Sequence, residues 1–109
     1  MISVAAMTAG TAEAAPAAYG CTAGYFCIFN GANGTGDQCQ WAEQDNPNTH
    51  SDCSWLQLGW LVRSVYNRHN YTVQYYLEPN YNSRVGSTGA GGKGNLTGTY
   101  QIDSFKPQT

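Results

Sequence analysis

The sequence is short of charge and of long apolar runs. Charged residues make up 11% of the 109 residues, and the five basic ones are scattered along the chain. Nucleic acids and anionic membranes are bound through concentrated basic patches, which this pattern does not provide. No apolar run approaches the ~20 residues of a membrane span. We therefore expect a protein that acts on neither nucleic acid nor membrane.

Sequence signatures of catalysis and of metal binding are also missing. The chain has no HExxH, GxSxG or phosphate-binding GKS or GKT motif, and it has only two histidines. His50, Ser51 and Asp52 are adjacent, but neighbours in an extended segment point to opposite faces and do not assemble a triad. The four cysteines include no CxxC pair, which argues against zinc. We predict a non-enzymatic protein with no metal and no cofactor.

The N-terminal residues are typical of an export signal. Residues 12–18, Ala-Glu-Ala-Ala-Pro-Ala-Ala, form a small-residue run of the kind that a signal peptidase cuts, after a modestly apolar stretch. No Lys or Arg precedes this stretch, so Met1 would be an internal methionine of a longer precursor. The alternative is a folded N-terminal helix. We predict a partial signal peptide at 1–14, one domain at 15–109 and a secreted, extracellular protein.

The four cysteines fit an oxidising compartment. Four cysteines allow three pairings, among which sequence alone does not choose. Proximity favours Cys21–Cys27 and Cys39–Cys53. Each bridge would contribute roughly 2–3 kcal/mol by restricting the unfolded chain, a large share of the stability of so small a domain.

Most of the sequence has the pattern of short strands separated by tight turns. Residues 25–30 have the pattern of a strand, in which Tyr25, Cys27 and Phe29 alternate with their neighbours on the opposite face. The strand pattern ends at a run rich in glycine and asparagine, residues 31–36. Residues 61–67 and 71–77 are rich in Val, Tyr and Thr with period two, and a short connection joins them. Together these segments predict an all-β, disulfide-stapled sandwich.

The remaining segments are predicted to be loops and one last strand. Residues 39–58 are polar and bear proline, so they form an irregular excursion tied by the second cysteine pair. Residues 78–84 form a loop, residues 86–94 form a flexible glycine-rich loop, and residues 97–105 return as a final strand.

Several short motifs resemble one known family. They are Cys21-x-x-Gly-Tyr-x-Cys27-Ile-Phe, then Val62-Arg-Ser-Val-Tyr-Asn67, then Tyr71-Thr-Val-Gln-Tyr-Tyr. This combination is similar to the secreted proteins of peptidase inhibitor family I36, and the resemblance implies a βγ-crystallin-like Greek-key β-sandwich. Residues 76–83 are similar to the crystallin hairpin signature, with Ser83 in place of its glycine. Phe29 and Gly36 frame a degraded first copy in which Gly34 replaces the second aromatic.

The resemblance implies a monomeric inhibitor of a secreted protease, with a metalloproteinase as the expected target. Its inhibitory loop would be residues 78–85, with Arg84-Val85 as the contacted bond, although the cysteine pair that clamps this loop in the family is absent here. The loop residues are Glu78, Pro79, Asn80, Tyr81, Asn82, Ser83, Arg84 and Val85. The crystallin calcium signature corresponds to residues 59–64, where both acidic or amide ligands and one hydroxyl are missing, so no calcium is expected at this first site.

Two other functions compete with inhibition. One is a crystallin-like binding or killer-toxin-like module that acts on cell walls or competing microbes, with exposed tyrosine and tryptophan rings, Trp55 among them, stacked on sugars. The other is a purely structural envelope protein. Neither requires a protease partner, so an inhibition assay separates them from the inhibitor hypothesis.

Overall fold

The computed structural model describes residues 18–108, and the predicted signal segment at 1–14 lies outside the described residues. Seven strands, one short α-helix and two 3₁₀ turns (Ala32–Gly34 and Thr49–Asp52) occur in this part of the chain. The strands and the α-helix are β1 (Phe26–Phe29), β2 (Gln38–Trp41), α1 (Ser54–Gln57), β3 (Val62–Asn67), β4 (Val73–Glu78), β5 (Asn82–Thr88), β6 (Lys93–Tyr100) and β7 (Ser104–Pro107). No helix within residues 18–108 is long and apolar enough to cross a membrane. The predicted all-β class is confirmed.

The strands form two antiparallel sheets that exchange segments. The first sheet has the order β2–β1–β3–β6, and the second has the order β5–β4–β7. Strand β6 comes from the C-terminal half of the chain but pairs with β3. In return, Asn46 from the N-terminal half bridges to Phe105 in β7 through two backbone hydrogen bonds of 2.9 and 3.1 Å. Each half therefore contributes to the sheet of the other, the C-terminal half with a strand and the N-terminal half with a single bridge.

Both sheets pack on one apolar core. Phe26 from the first sheet and Phe105 from the second are fully buried, and their ring centroids lie 4.9 Å apart. Trp41 packs on Phe105 at 5.5 Å. The other buried members of this core are Ile28, Cys53, Trp55, Leu56, Val62, Val65, Val73, Tyr75 and Ile102. Because the core is shared, we expect the two sheets to fold as one unit.

The period-two prediction is confirmed for the centre of the chain. Strands β3 and β4 correspond to the strands predicted at 61–67 and 71–77. They do not pair with each other, since β3 lies between β1 and β6 whereas β4 lies between β5 and β7. The connection at 68–72 therefore passes from one sheet to the other.

Predictions for the polar segments are wrong in detail. The excursion at 39–58 contains most of β2 and the helix α1, and the two loops predicted at 78–84 and 86–94 contain the starts of β5 and β6. The final strand predicted at 97–105 is the end of β6 and the start of β7. These segments carry few apolar residues, and backbone pairing with a neighbouring strand makes them extended.

A buried serine holds the turn between β1 and β2. Ser64 Oγ accepts a 2.8 Å hydrogen bond from the Gly34 N–H and donates one of 2.7 Å to the Gly31 carbonyl. Gly34 has a φ of 69°, and a Cβ at this position would lie 2.3 Å from the Tyr19 nitrogen. Both facts require glycine at position 34.

The turn between β4 and β5 repeats this arrangement. Ser104 Oγ accepts a 3.1 Å hydrogen bond from the Tyr81 N–H and donates one of 2.6 Å to the Glu78 carbonyl. In the first turn, the carbonyl that accepts and the N–H that donates belong to the second and fifth residues after Phe29. In the second turn, they belong to the second and fifth residues after Tyr76. The two hairpins, one in each half of the chain, therefore have equivalent hydrogen bonds to a buried serine.

Tyr19 supplies the aromatic ring that the first turn lacks. In the second turn, Tyr81 packs edge-on against Tyr76 with the ring centroids 5.7 Å apart. In the first turn, Tyr19 packs edge-on against Phe29 at 5.8 Å, and its N–H donates a 2.9 Å hydrogen bond to the Gly34 carbonyl. An upstream residue therefore completes the first hairpin.

We expect Tyr19→Ala to lower the free energy of unfolding by about 1–2 kcal/mol, because a half-buried ring and its edge-on contact are lost. Urea unfolding followed by tryptophan fluorescence measures this difference. Tyr19→Phe keeps the ring and should stay within about 0.5 kcal/mol of the wild type. A Tyr19→Ala protein with wild-type stability would show that the ring does not support the turn.

Candidate functional site

The two histidines lie in structural positions within residues 18–108. His69 is buried and stacks on Tyr71, with the ring centroids 4.8 Å apart. Burial lowers the pKa of His69 below its ordinary value, and the Trp41 backbone partly offsets this. His50 lies in a 3₁₀ turn in which the Ser51 hydroxyl donates to a main-chain carbonyl 2.9 Å away. This part of the chain holds no group of three or more His, Cys, Asp or Glu side chains that could bind a metal ion.

The predicted inhibitory loop is a tight turn followed by an edge strand. Glu78 ends β4, residues 79–81 form the turn, and residues 82–85 begin β5. Asn80 and Tyr81 have φ values of 61° and 62°, in the left-handed region that tight hairpin turns use. The Ser83 hydroxyl donates a 3.2 Å hydrogen bond to the Glu78 carboxylate. Burial raises the pKa of Tyr81, and the nearby Asp45 adds to this effect.

Val85, which an exposed inhibitory loop would present to solvent, is partly withdrawn from it. The register of β4 against β5 shifts at this point, so Val85 is left unpaired in a β-bulge. The Val85 side chain is half-buried and packs against the core, whereas Arg84 is exposed and donates a 3.0 Å hydrogen bond to the Gln108 side chain. Contact of the Arg84-Val85 bond with a protease stays a prediction, and it would require Val85 to leave the core.

The structure pairs all four cysteines as Cys21–Cys27 and Cys39–Cys53, and no cysteine among residues 18–108 is free. The first bridge ties the segment before β1 to that strand. The second ties β2 to Cys53, the residue that precedes α1. Because Cys53 is fully buried, this bridge fixes the start of α1 against the core.

The tryptophans divide into two buried rings and one exposed ring. Trp41 and Trp55 are each only 5% exposed, so the expectation of a solvent-facing Trp55 is wrong. Trp60 is 58% exposed, and its neighbours Leu58 and Leu61 are 78% and 41% exposed. The sequence does not predict the exposure of residues 58–61, because an apolar run that leads into a strand is typical of a core segment. The one available signal was a glycine between two large apolar residues.

Residues 58–61 border an open groove of about 340 Å³. The groove lies on the first sheet, beside the residues that follow β1 and begin β3. Its lining residues are Asn30, Leu58, Gly59, Trp60, Leu61, Arg63 and Thr99. An exposed aromatic ring among aliphatic and polar side chains is the kind of surface that binds a partner.

The comparison with known families decides what this scaffold is. The profile of peptidase inhibitor family I36 matches residues 14–88, which is more than half of the chain. The chain belongs to peptidase inhibitor family I36. No curated protein matches it significantly. The I36 match includes both disulfides, residues 58–61 and the β4–β5 hairpin, and it supports a peptidase inhibitor role.

Proposed function

We propose that this I36 protein is a secreted, monomeric, non-enzymatic inhibitor of a metalloproteinase. The observation that carries the proposal is the family match over residues 14–88, which contains both residues 58–61 and the β4–β5 hairpin. A small domain with two disulfides is consistent with secretion. Exposed apolar side chains at 58–61 suit a peptidase that takes bulky apolar residues into its specificity pocket.

We also propose a βγ-crystallin-like double Greek key as the fold of the scaffold. The exchange of one segment between the two halves supports it, and so do the equivalent hydrogen bonds of Ser64 and Ser104. Ser83 replaces the signature glycine but keeps a left-handed φ of 62°, close to the 81° of Gly36 in the first hairpin. The substitution therefore preserves the backbone that the signature requires.

We propose that the protein blocks its target by placing a rigid segment in the substrate cleft. The hairpin at 78–85 is preorganised by its left-handed turn and by the hydrogen bond between Ser83 and Glu78. Preorganisation lowers the ordering cost of binding. Strand β5 also lies at a sheet edge, where an extended partner can add through backbone hydrogen bonds. We propose residues 78–85 as a contributing contact.

The test is a titration of the purified protein against panels of metallo-, serine and cysteine peptidases. We expect inhibition of at least one metallopeptidase, and we expect Arg84→Ser in the hairpin to weaken it by about 3- to 10-fold. Inhibition of serine or cysteine peptidases alone would show that the target class is wrong. No inhibition in any panel, with the protein folded by circular dichroism, would exclude the inhibitor function.

A further inference from the structure

Exposed apolar surface is concentrated in one short segment. Four large apolar side chains are exposed in the described part of the chain, and three of them, Leu58, Trp60 and Leu61, lie within residues 58–61. Contiguous exposed apolar patches on a monomer mark interaction sites. This segment is therefore the strongest candidate for a contact surface.

The way in which α1 ends leaves the Leu58 and Trp60 side chains facing solvent. The Trp60 N–H donates to the Trp55 carbonyl at 3.1 Å, and the Gly59 N–H donates to the Leu56 carbonyl at 3.0 Å, which is the Schellman arrangement. Gly59 has a φ of 89°, the left-handed conformation that this motif needs. The chain reverses at Gly59, so Trp55 and Leu56 fill the core while Leu58 and Trp60 face solvent.

One side chain from the opposite half of the molecule fixes this reversal. Gln101, between β6 and β7, donates from Nε2 to the Leu56 carbonyl at 2.9 Å and to the Trp60 carbonyl at 3.0 Å. These two hydrogen bonds join both ends of the reversal to the scaffold. The segment is thereby held in one conformation before a partner binds, which lowers the ordering cost of binding.

We propose that residues 58–61, the apolar anchor, insert into the substrate cleft of the target peptidase, with Leu58 and Trp60 as the main contacts. This inference rests on the proposed inhibitor function. Binding energy at interfaces concentrates in a few central side chains, with tryptophan enriched among them. The hairpin at 78–85 presents mainly polar side chains and keeps Val85 on the core, so it offers no comparable anchor.

The family match, which includes residues 58–61, favours a peptidase over a second copy of this chain as the partner of the anchor. Three side chains of this size and exposure present on the order of 300–400 Å² of apolar surface, the size of a functional patch on a monomer. Standard interfaces bury about 800 Å² from each partner, in dimers and in protease–inhibitor complexes alike, so residues around the anchor must complete the contact.

Single substitutions at exposed anchor positions test the proposal. We expect Trp60→Ser and Leu58→Ser to raise the inhibition constant about 30- to 1000-fold against a peptidase that the wild type inhibits. Their thermal unfolding should match the wild type, because both side chains are exposed. Arg84→Ser in the hairpin is the matched control, with the smaller loss given above. A large loss in Arg84→Ser with none in Trp60→Ser would assign the contact to the hairpin and overturn the proposal.

Three further results would also overturn the anchor. If Trp60→Ser abolishes retention on insoluble cell-wall polysaccharide and leaves inhibition unchanged, the Trp60 ring binds polysaccharide and not a peptidase. A wild-type dimer in analytical ultracentrifugation that Trp60→Ser dissociates, again with unchanged inhibition, would make residues 58–61 a contact between two copies of this chain. If the wild type inhibits no peptidase, the proposed function fails and the anchor fails with it.

Gln101→Met tests the positioning of the anchor without altering its apolar side chains. Methionine keeps the length and removes both hydrogen-bond donors. We expect about a 3- to 10-fold weaker inhibition together with faster amide hydrogen exchange in residues 58–61. Faster exchange with unchanged inhibition would show that the fixed conformation does not contribute to binding.

Discussion

Asn67→Asp is expected to lower the free energy of unfolding by about 3–5 kcal/mol at pH 7. Asn67 is fully buried at the end of β3, and its Nδ2 lies 2.8 Å from the Tyr71 carbonyl, 2.9 Å from that of Thr88 and 3.2 Å from that of Gly89. Its Oδ1 accepts a 3.0 Å hydrogen bond from the His69 N–H. A carboxylate of the same shape would face these carbonyl oxygens with no hydrogen to donate.

The pH dependence of this variant identifies the cause. Burial and facing acceptors raise the pKa of the introduced carboxyl, so the folded state binds its proton more tightly than the unfolded state. Stability of the variant should therefore fall, relative to the wild type, as pH rises from about 4 to 7. Urea unfolding at both pH values measures this.

Asn70→Asp is the matched control for the buried position. It introduces the same charge three residues away, at an exposed side chain, and it should stay within about 0.5 kcal/mol of the wild type. If the two variants are equally stable, the hydrogen bonds of Asn67 do not hold the connection between the sheets.

Sequence periodicity could predict β3 and β4 because each alternates between buried and exposed or half-buried residues over part of its length. It could not predict β5 and β6, which are rich in glycine, serine and threonine and mostly lie at the surface. Their extended form comes from pairing with β4 and β3, which a local pattern does not contain. The role of Asn67 is likewise invisible, since its acceptors lie up to 22 residues away.

The candidate site was harder to predict than the fold. The family resemblance predicts an inhibitory loop at residues 78–85, but residue type alone does not predict that Val85 packs on the core. The same limit applied to the tryptophans, since nothing local distinguishes the buried Trp55 from the exposed Trp60. Exposure at 58–61 follows from the chain reversal at Gly59 and from Gln101, which is 41 residues from Trp60.

Removal of the Cys39–Cys53 disulfide by Cys39→Ala and Cys53→Ala is expected to lower the free energy of unfolding by about 3 kcal/mol. The bridge spans a sequence separation of 14 and restricts the unfolded chain over that length. For a domain of this size, the loss corresponds to a fall in Tm of roughly 12–24 °C. Differential scanning calorimetry measures it, and an unchanged Tm would show that the bridge does not stabilise the fold.

Removal of the Cys21–Cys27 bridge is the matched control, because its sequence separation is only 6 and it lies before β1. We expect a smaller loss of about 2 kcal/mol and no change in inhibition below the Tm. The Cys39–Cys53 bridge, in contrast, holds the start of α1, whose other end leads directly into the apolar anchor. Its removal should weaken inhibition about 3- to 10-fold even at temperatures where the variant is folded, because the anchor must then be ordered on binding. If both double variants inhibit as well as the wild type, the Schellman motif and Gln101 hold the anchor without help from the disulfide.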